Sequence, residues 1–394
     1  MLSDLTAALG GDGRTDFRGG AALRVRVRLQ PIAGDGARVM PSTYDIDGKA
    51  GYITEQRRLG GVEVPCVLID SQASQSNRLE ATLADSMSAG AIRIPDITVD
   101  LAEFGVSSAL TLPHRLFDAM CEDALLDGAR FGSTPQYDAL AGVIHRGVAG
   151  PLVERFPVGL LLGCWASRKS NPQGSTRIAR AITSEIIAYD TLLGQRAKSR
   201  IDPRHVSAGV RLVDGDGDQA RFAIAPEKAK GSKRPSEFGY GNVTPSVADH
   251  GGITMRHAEQ QTVVALTSLR SVCAGSLADG PATPTRDLAA RELLVLLALA
   301  MLELQVDAGW DLRSGCQLVP DGEPTVQVIG RLGQVLAEEP LVGLGTVEAL
   351  AAATARAKQV GLDWDVPPIE LIGAPEQLDL LRRSLGFTDE PTPA

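Results

Sequence analysis

Residues 22–30, ALRVRVRLQ, alternate strictly between apolar side chains and arginine, the period-two pattern of a strand with one buried face and one open face. Leu23, Val25, Val27 and Leu29 fall on the first face, and Arg24, Arg26 and Arg28 on the second. Arginines repeated along one face of a sheet either solubilise it or address phosphates. Segment 31–61 is punctuated by glycine and proline and has no long periodic run. Val64–Ile69 predicts a second, short apolar strand, and Asp70 or Ser71 after it predicts a helix N-cap. Leu79, Leu83 and Met87 then recur every four residues, the buried stripe of a helix. Gln72, Gln75, Ser76 and Arg78 lie in its first turns or on its open side. A strand that delivers amides to a helix N-terminus is a suitable seat for a phosphate or a sugar.

Further along, 91–150 predicts an insertion or lid with a helix near His114–Leu126. Val158–Trp165 predicts a strand. Thr176–Leu193 predicts a helix whose stripe is Ile178, Ile182, Ile186, Tyr189 and Leu193, with Arg177, Arg180 and Ser184 sharing another face. Val210–Val213 and Ala220–Ala225 flank DGDGDQ and predict a β-hairpin with an Asp-Gly turn. The same letters imitate an EF-hand, but Gln219 stands where the loop needs glycine and Ala225 where it needs glutamate. Segment 227–254 is aperiodic and rich in Gly, Ser, Pro and Lys, as functional loops are. Gln260–Val272 and Arg286–Gln305 predict helices. The second contains LLVLLALAMLEL, which at 12 residues is well short of the roughly 20 needed to cross a bilayer, so a buried core helix is expected. GWDLRSGCQLVP predicts a turn into a short strand. Segment 330–394 predicts small helices and a disordered EPTPA end.

Composition narrows the function classes. With 44% hydrophobic and 22% charged residues the chain is globular. Its start, MLSDLTAALGGDGRTDFRGG, lacks a basic stretch followed by an apolar run, so a cytoplasmic location and no membrane partner are expected. Cysteines 66, 121, 164, 273 and 316 form no CxxC pair, and histidines 114, 145, 205, 250 and 257 match no metal spacing. No metal and no cofactor are therefore expected. Net charge is −9, yet Trp165–Arg234 holds 14 Lys and Arg against 7 Asp and Glu, a local +7 that leaves −16 for the remainder. One basic surface on an acidic body fits a phosphate backbone as partner.

The stretch GCWASRKSNPQGSTRIAR (163–180) nearly spells a P-loop: Gly163, Lys169 and Ser170 are in place, but Arg168 replaces the second glycine. That glycine lets the backbone wrap a β-phosphate, so nucleotide hydrolysis is not expected. No G-x-S-x-G and no cysteine in a nucleophile context occur either. Extended nucleic-acid binding remains, and it needs cations, amides and a few flat side chains. Arg168, Lys169, Gln173, Arg177 and Arg180 supply the first two, and Trp165 and Tyr240 are candidates for the third. At 4% aromatic residues, holding a backbone fits better than reading bases.

The blocks VLIDSQASQSNRLE, LLLGCWASRKSNPQGSTRIARAITSEIIAYD, GYGNVTPS and AGWDLRSGCQLVP, in this order, closely resemble the backbone subunit of type I-G (formerly I-U) CRISPR Cascade complexes, of the RAMP superfamily. The resemblance spans about residues 20–320. It implies an α+β fold: a modified RRM-like (ferredoxin-like) RAMP core with large insertions and a β-hairpin thumb. The whole chain, 1–394, would be one RAMP domain, with 91–150 as insertion or lid, 203–255 as thumb or RNA-facing loop, and 330–394 as a C-terminal helical segment. It implies a non-catalytic subunit that polymerises along CRISPR RNA for guided recognition of target DNA in antiviral defence. Its partners would be CRISPR RNA, target DNA through the guide, other copies of itself and other Cascade subunits. RNA-binding residues carried over with the matching blocks are Gln72, Gln75, Asn77 and Arg78, then Trp165, Ser167, Arg168, Lys169, Gln173, Arg177 and Arg180. Lys228, Lys230, Lys233 and Arg234, just before GYGNVTPS, join them as candidates on the thumb. The competing expectation is a RAMP-type endoribonuclease that processes CRISPR RNA with His205 or His250 as base.

Overall fold

The alternating arginine segment is a strand, β1 (Gly20–Pro31), in the computed structural model of the protein, which describes residues 20–142, 149–166, 176–215, 220–226, 229–248, 251–275 and 284–385. Leu23, Val25, Val27 and Leu29 are at most 1% exposed and start the core. Eight further strands complete one antiparallel sheet: β2 (Thr54–Leu59), β3 (Val62–Asp70), β4 (Ile182–Tyr189), β5 (His257–Ala265), β6 (Trp310–Arg313), β7 (Cys316–Pro320), β8 (Thr325–Gly330) and β9 (Val335–Pro340). The order is β6-β7-β1-β5-β4-β3-β2; β8 shares the β7 edge of β1, and β9 lies outside β8. The fold is mixed α/β.

Two helices pack on the face that carries the β1 leucines and valines: α1 (Gln72–Ser88) and α2 (Pro284–Ala308), which also touch each other. Ser71 caps α1 by accepting the Ser74 amide at 3.2 Å, as its position predicts, and Leu79 and Leu83 are fully buried. In α2 every residue from Leu293 to Leu302 is at most 6% exposed. Such all-round burial requires cover on two sides, which α1 and the helix Thr346–Ala357 provide. Glu303 ties that second helix to α2. Its carboxylate accepts the Gly345 and Thr346 amides at 3.1 and 2.9 Å, together with the Thr346 hydroxyl, so it satisfies donors that a helix N-terminus leaves open.

A smaller five-stranded sheet runs Val106–Ser108, Ile97–Asp100, Ile369–Ile372, Leu125–Leu126, Ala129–Arg130. Its parallel pair, Ile97–Asp100 with Ile369–Ile372, joins the 91–150 segment to the C-terminal segment. Beside it Asp96 is buried: Oδ2 accepts from Ser108 Oγ at 2.6 Å, and Oδ1 has no partner among the described residues. Burial pushes this carboxyl above the usual aspartate range, opposed by the Ser108 bond. The folded state thus holds the proton more tightly than the unfolded state does. The resulting stability is complete below the unfolded pKa and is lost as pH rises through the raised folded value. Asp96→Asn keeps an acceptor for Ser108 without the charge. It is expected to flatten the fall in stability above about pH 4, as read by urea unfolding at a series of pH values; an unchanged profile would mean that Asp96 ionises in the fold without penalty.

Several sequence expectations are corrected here. Val158–Trp165 is a helix, Val158–Leu162, followed by a strand, Cys164–Ala166. A short, fully buried apolar run does not distinguish the two by periodicity. Thr176–Leu193 is not a helix but the strand Thr176–Ile178 and the central strand β4. Ile178, Ile182 and Ile186 recur every four residues, a multiple of two as well as close to a helical turn, and the β-branched content of ITSEIIAY decides for the sheet. The same reason makes the start of Gln260–Val272 part of β5, with only Leu266–Leu269 helical. The helix near His114–Leu126 is reduced to a 3₁₀ turn, Arg115–Phe117, and one helical turn, Ala119–Glu122. The 330–394 segment carries helices at Thr346–Ala357 and Pro375–Ser384, but also β9 and Ile369–Ile372, so it is not purely helical. No helix among the described residues is long and apolar enough to cross a membrane.

Candidate nucleic-acid interface

The residues singled out around α1 separate into two kinds. Gln72 and Asn77 are exposed on the helix. Gln75 is fully buried and belongs to the interior. Its Nε2 donates to Asp70 Oδ2 at 2.6 Å, while its Oε1 accepts from Ser184 Oγ at 3.1 Å and Gln305 Nε2 at 3.2 Å. Gln260 closes the ring. It donates to Gln305 Oε1 at 2.8 Å and Ser184 Oγ at 3.3 Å, and accepts from the Trp310 indole at 2.7 Å. Arg78 is likewise engaged: it pairs with Asp70 at 2.9 Å and donates to the Leu312 carbonyl at 2.8 Å. Because Asp70 is fully buried, it needs these donors. Gln75 and Arg78 thus both have partners within the fold.

The open face of the main sheet is charged but compensated. Arg24 donates to Gln327 at 2.8 Å, Arg26 pairs with Glu259 at 2.8 Å, and Arg28 pairs with Asp321 at 2.8 Å. Arg57 pairs with Glu185 at 2.7 Å. Burial works against the charge on Arg57, but its bonds to Glu185, Glu55 and Tyr189 outweigh that and hold the guanidinium well above the ordinary arginine range. Tyr189, which accepts from Gln261 at 2.7 Å, is buried beneath a stacked His257 at 5.2 Å. A face whose arginines already have acid or amide partners, and whose tyrosine is covered, offers little to a phosphate chain or to a base.

A different arrangement holds at the former P-loop candidate. Cys164–Ala166 and Thr176–Ile178 form a two-stranded ribbon in which Cys164 opposes Ile178 and Trp165 opposes Arg177. Alternation sends Cys164 into the core and leaves Trp165 44% exposed, with Arg177 exposed beside it. The Arg177 guanidinium lies 5.0 Å from the centre of the Trp165 ring, and His114 meets that ring edge-on at 6.0 Å. Gly163 lets the chain turn into the ribbon at φ +77°, where a Cβ would sit 2.7 Å from the Ile178 carbonyl. Arg115 fixes the turn that carries His114. Itself at φ +54°, it donates to the Gly163 carbonyl at 2.9 Å and pairs with Glu80. Burial pushes the Glu80 carboxyl up, against the pull of Arg115. Ser167, Arg168, Lys169 and Gln173 lie outside the described residues.

The second uncompensated region is a β extension between Gly194 and Gly252. Its base is closed by the Gly194 amide on the Gly252 carbonyl at 2.8 Å and the Gly251 amide on the Gly194 carbonyl at 2.7 Å. Arg196–Arg200 pairs with Val243–Ala248, and beyond them Arg211–Asp214 pairs with Phe222–Ala225, the expected hairpin. The extension therefore begins nearer residue 194 than 203, since its outgoing strand precedes Pro203. It contains ten Lys and Arg against seven Asp and Glu. Lys233 pairs with Asp214 at 2.8 Å and lies 5.6 Å from the centre of the Phe238 ring; Lys230 and Arg234 are exposed, as is Tyr240, whose ring meets Phe222 edge-on at 5.4 Å. Lys228 and His250 lie outside the described residues, and His205 is exposed in a left-handed turn at φ +55°. Arg177, Arg180, Arg200, Arg204, Arg221 and Arg234 have no carboxylate partner among the described residues. Sequence reading passed over Arg200, Arg204 and Arg221, although the cation density of RAKSRIDPR marks the first two. His114 and Arg115 had no local signal, because the ribbon they support is about fifty residues away.

No curated protein matches the chain. Residues 23–192, which take in β1, α1, the ribbon and β4, match the family model described as CRISPR-associated protein GSU0053, so over that part the chain is similar to a CRISPR-associated protein.

Proposed function

We propose that the protein is a non-catalytic CRISPR RNA-binding backbone subunit of a type I-G Cascade complex, polymerising along the RNA and leaving its bases to pair with target DNA. The observation that carries this reading is the distribution of charge. Arg26, Arg28, Arg57 and Arg78, on the sheet and at α1, are paired with carboxylates, whereas Arg177, Arg180, Arg200, Arg204, Arg221 and Arg234, on or beside the ribbon and the extension, have no carboxylate partner among the described residues. Uncompensated cations that follow two surface ribbons suit a phosphate chain, whose affinity comes from counterion release. The topology supports a modified RRM-like (ferredoxin-like) RAMP core. In chain order β1-α1-β4-β5-α2-β7 gives β-α-β-β-α-β, and these strands stand side by side as β7-β1-β5-β4 with antiparallel neighbours. The extension at 194–252 takes the place of the thumb. Copies of the chain and other Cascade subunits are the proposed protein partners.

Co-expression with a CRISPR RNA tests the reading. An RNA-containing oligomer with intact RNA is expected. Cleavage of a repeat-containing transcript, abolished by His205→Ala or His250→Ala, would replace it with the endoribonuclease reading. Replacing Arg168 and Lys169 together by alanine is expected to weaken binding alike for all sequences. The slope of log affinity against log salt should fall by about one unit for each phosphate that is no longer neutralised; an unchanged slope would take 167–175 off the RNA path.

A further inference from the structure

We infer that Trp165 and Arg177 form a stacking site for one unpaired nucleobase: the base lies against the exposed indole, and the guanidinium held on that ring meets the adjoining phosphate. This inference rests on the RNA-binding reading above and adds to it a contact with a base. A large aromatic ring that is 44% exposed is unusual beside the other tryptophans of the chain, Trp310 and Trp364, which are 3% and 1% exposed. Trp165 has neither the burial of a core residue nor the isolation of a stray surface one.

The surroundings of Trp165 are built. Cross-strand register sets Arg177 directly opposite it, the guanidinium lies 5.0 Å from the ring centre, and His114 closes on the ring edge. Beneath them the buried Arg115–Glu80 pair and the Arg115 bond to Gly163 lock the supporting turn to the ribbon. A cation held by a ring rather than by a carboxylate keeps its charge available to an anion. A flat π-face next to an uncompensated guanidinium matches the two halves of a nucleotide, its base and its phosphate. Stacking needs no particular base but does need an unpaired one, so single strands of any sequence are the ligand class and duplexes are excluded.

Fluorescence tests this without altering the protein, because Trp165 is the tryptophan that solvent reaches. Single-stranded oligouridylate and oligoadenylate are titrated into the full chain, with affinity followed separately by anisotropy of end-labelled RNA. Both strands are expected to quench the emission and to shield it from iodide, whereas a duplex of equal length should do neither. Trp165→Ala is expected to weaken single-strand binding about 5- to 100-fold with little change in salt slope, and Trp165→Phe to restore most of it. Arg177→Ala should lower the slope by about one unit. RNA that binds the wild-type chain without quenching, or binds Trp165→Ala equally well, would overturn the stacking site and leave the RNA-binding reading standing. Failure of any RNA to bind the wild-type chain at low salt would overturn both.

Discussion

Replacing Arg115 with alanine is expected to destabilise the protein by about 3–5 kcal/mol, the cost of stripping one partner from a buried ion pair. Glu80 and Arg115 have side chains only 5% and 13% exposed, so the carboxylate left behind cannot recover its hydration. The bond to the Gly163 carbonyl is lost as well, and with it the clamp between the His114 turn and the ribbon. The loss should shrink at acid pH. Burial already pushes the Glu80 carboxyl up, and without the guanidinium it takes a proton more readily, which removes the unpaired charge. Urea unfolding at pH 7.5 and pH 5 checks both the size and the trend. Glu80→Gln, which keeps an acceptor for Arg115, should cost less than Arg115→Ala. A loss below about 1 kcal/mol at pH 7.5, the range of exposed pairs, would show that solvent screens this one.

Gln75→Ala is expected to cost about 2–5 kcal/mol. It removes three hydrogen bonds, takes a donor from the buried Asp70 carboxylate and the Gln75 acceptor from the Gln305 amide, and opens a void in the core. The ring of Gln75, Ser184, Gln260 and Gln305 joins both helices to the two central strands, so a break should be felt at all four elements. Gln72, three residues earlier and exposed, is the control: its alanine variant should change stability by about 0.5 kcal/mol or less. Thermal unfolding of the two variants side by side decides the matter. If Gln75→Ala left stability intact and weakened RNA binding instead, the residue would be a ligand after all, as its place at the start of α1 first implied.

The contrast between these two glutamines defines what the sequence makes legible. In β1 the alternation of four apolar residues with three arginines fixes both the strand and its buried face, because a period of two has one solution when a core lies on one side. Ser71 and the every-fourth leucines fix α1, and LLVLLALAMLEL fixes a helix covered all round. The ribbon's cations and its tryptophan are also visible as composition. Strand β4 is not, because its spacing of four satisfies both periodicities and only neighbouring strands resolve it. Whether a polar residue faces water is a property of what packs over it. Gln72 and Gln75 are alike as letters and sit on neighbouring positions of one helix face, so the helical period does not separate them; what packs over each leaves the first in solvent and buries the second.

The sequence by itself determined the local elements with a single compatible period and the basic middle of an acidic chain. Local sterics and solvation act over a few residues, so they can be read there. Tertiary structure alone decided which cations stay unpaired. Arg26 and Arg177 are equally plausible phosphate ligands in the sequence. Glu259, brought beside Arg26 from 233 residues away, neutralises the first, while cross-strand pairing sets the second on Trp165. Coulomb attraction depends on distance in space, and only the fold sets that distance.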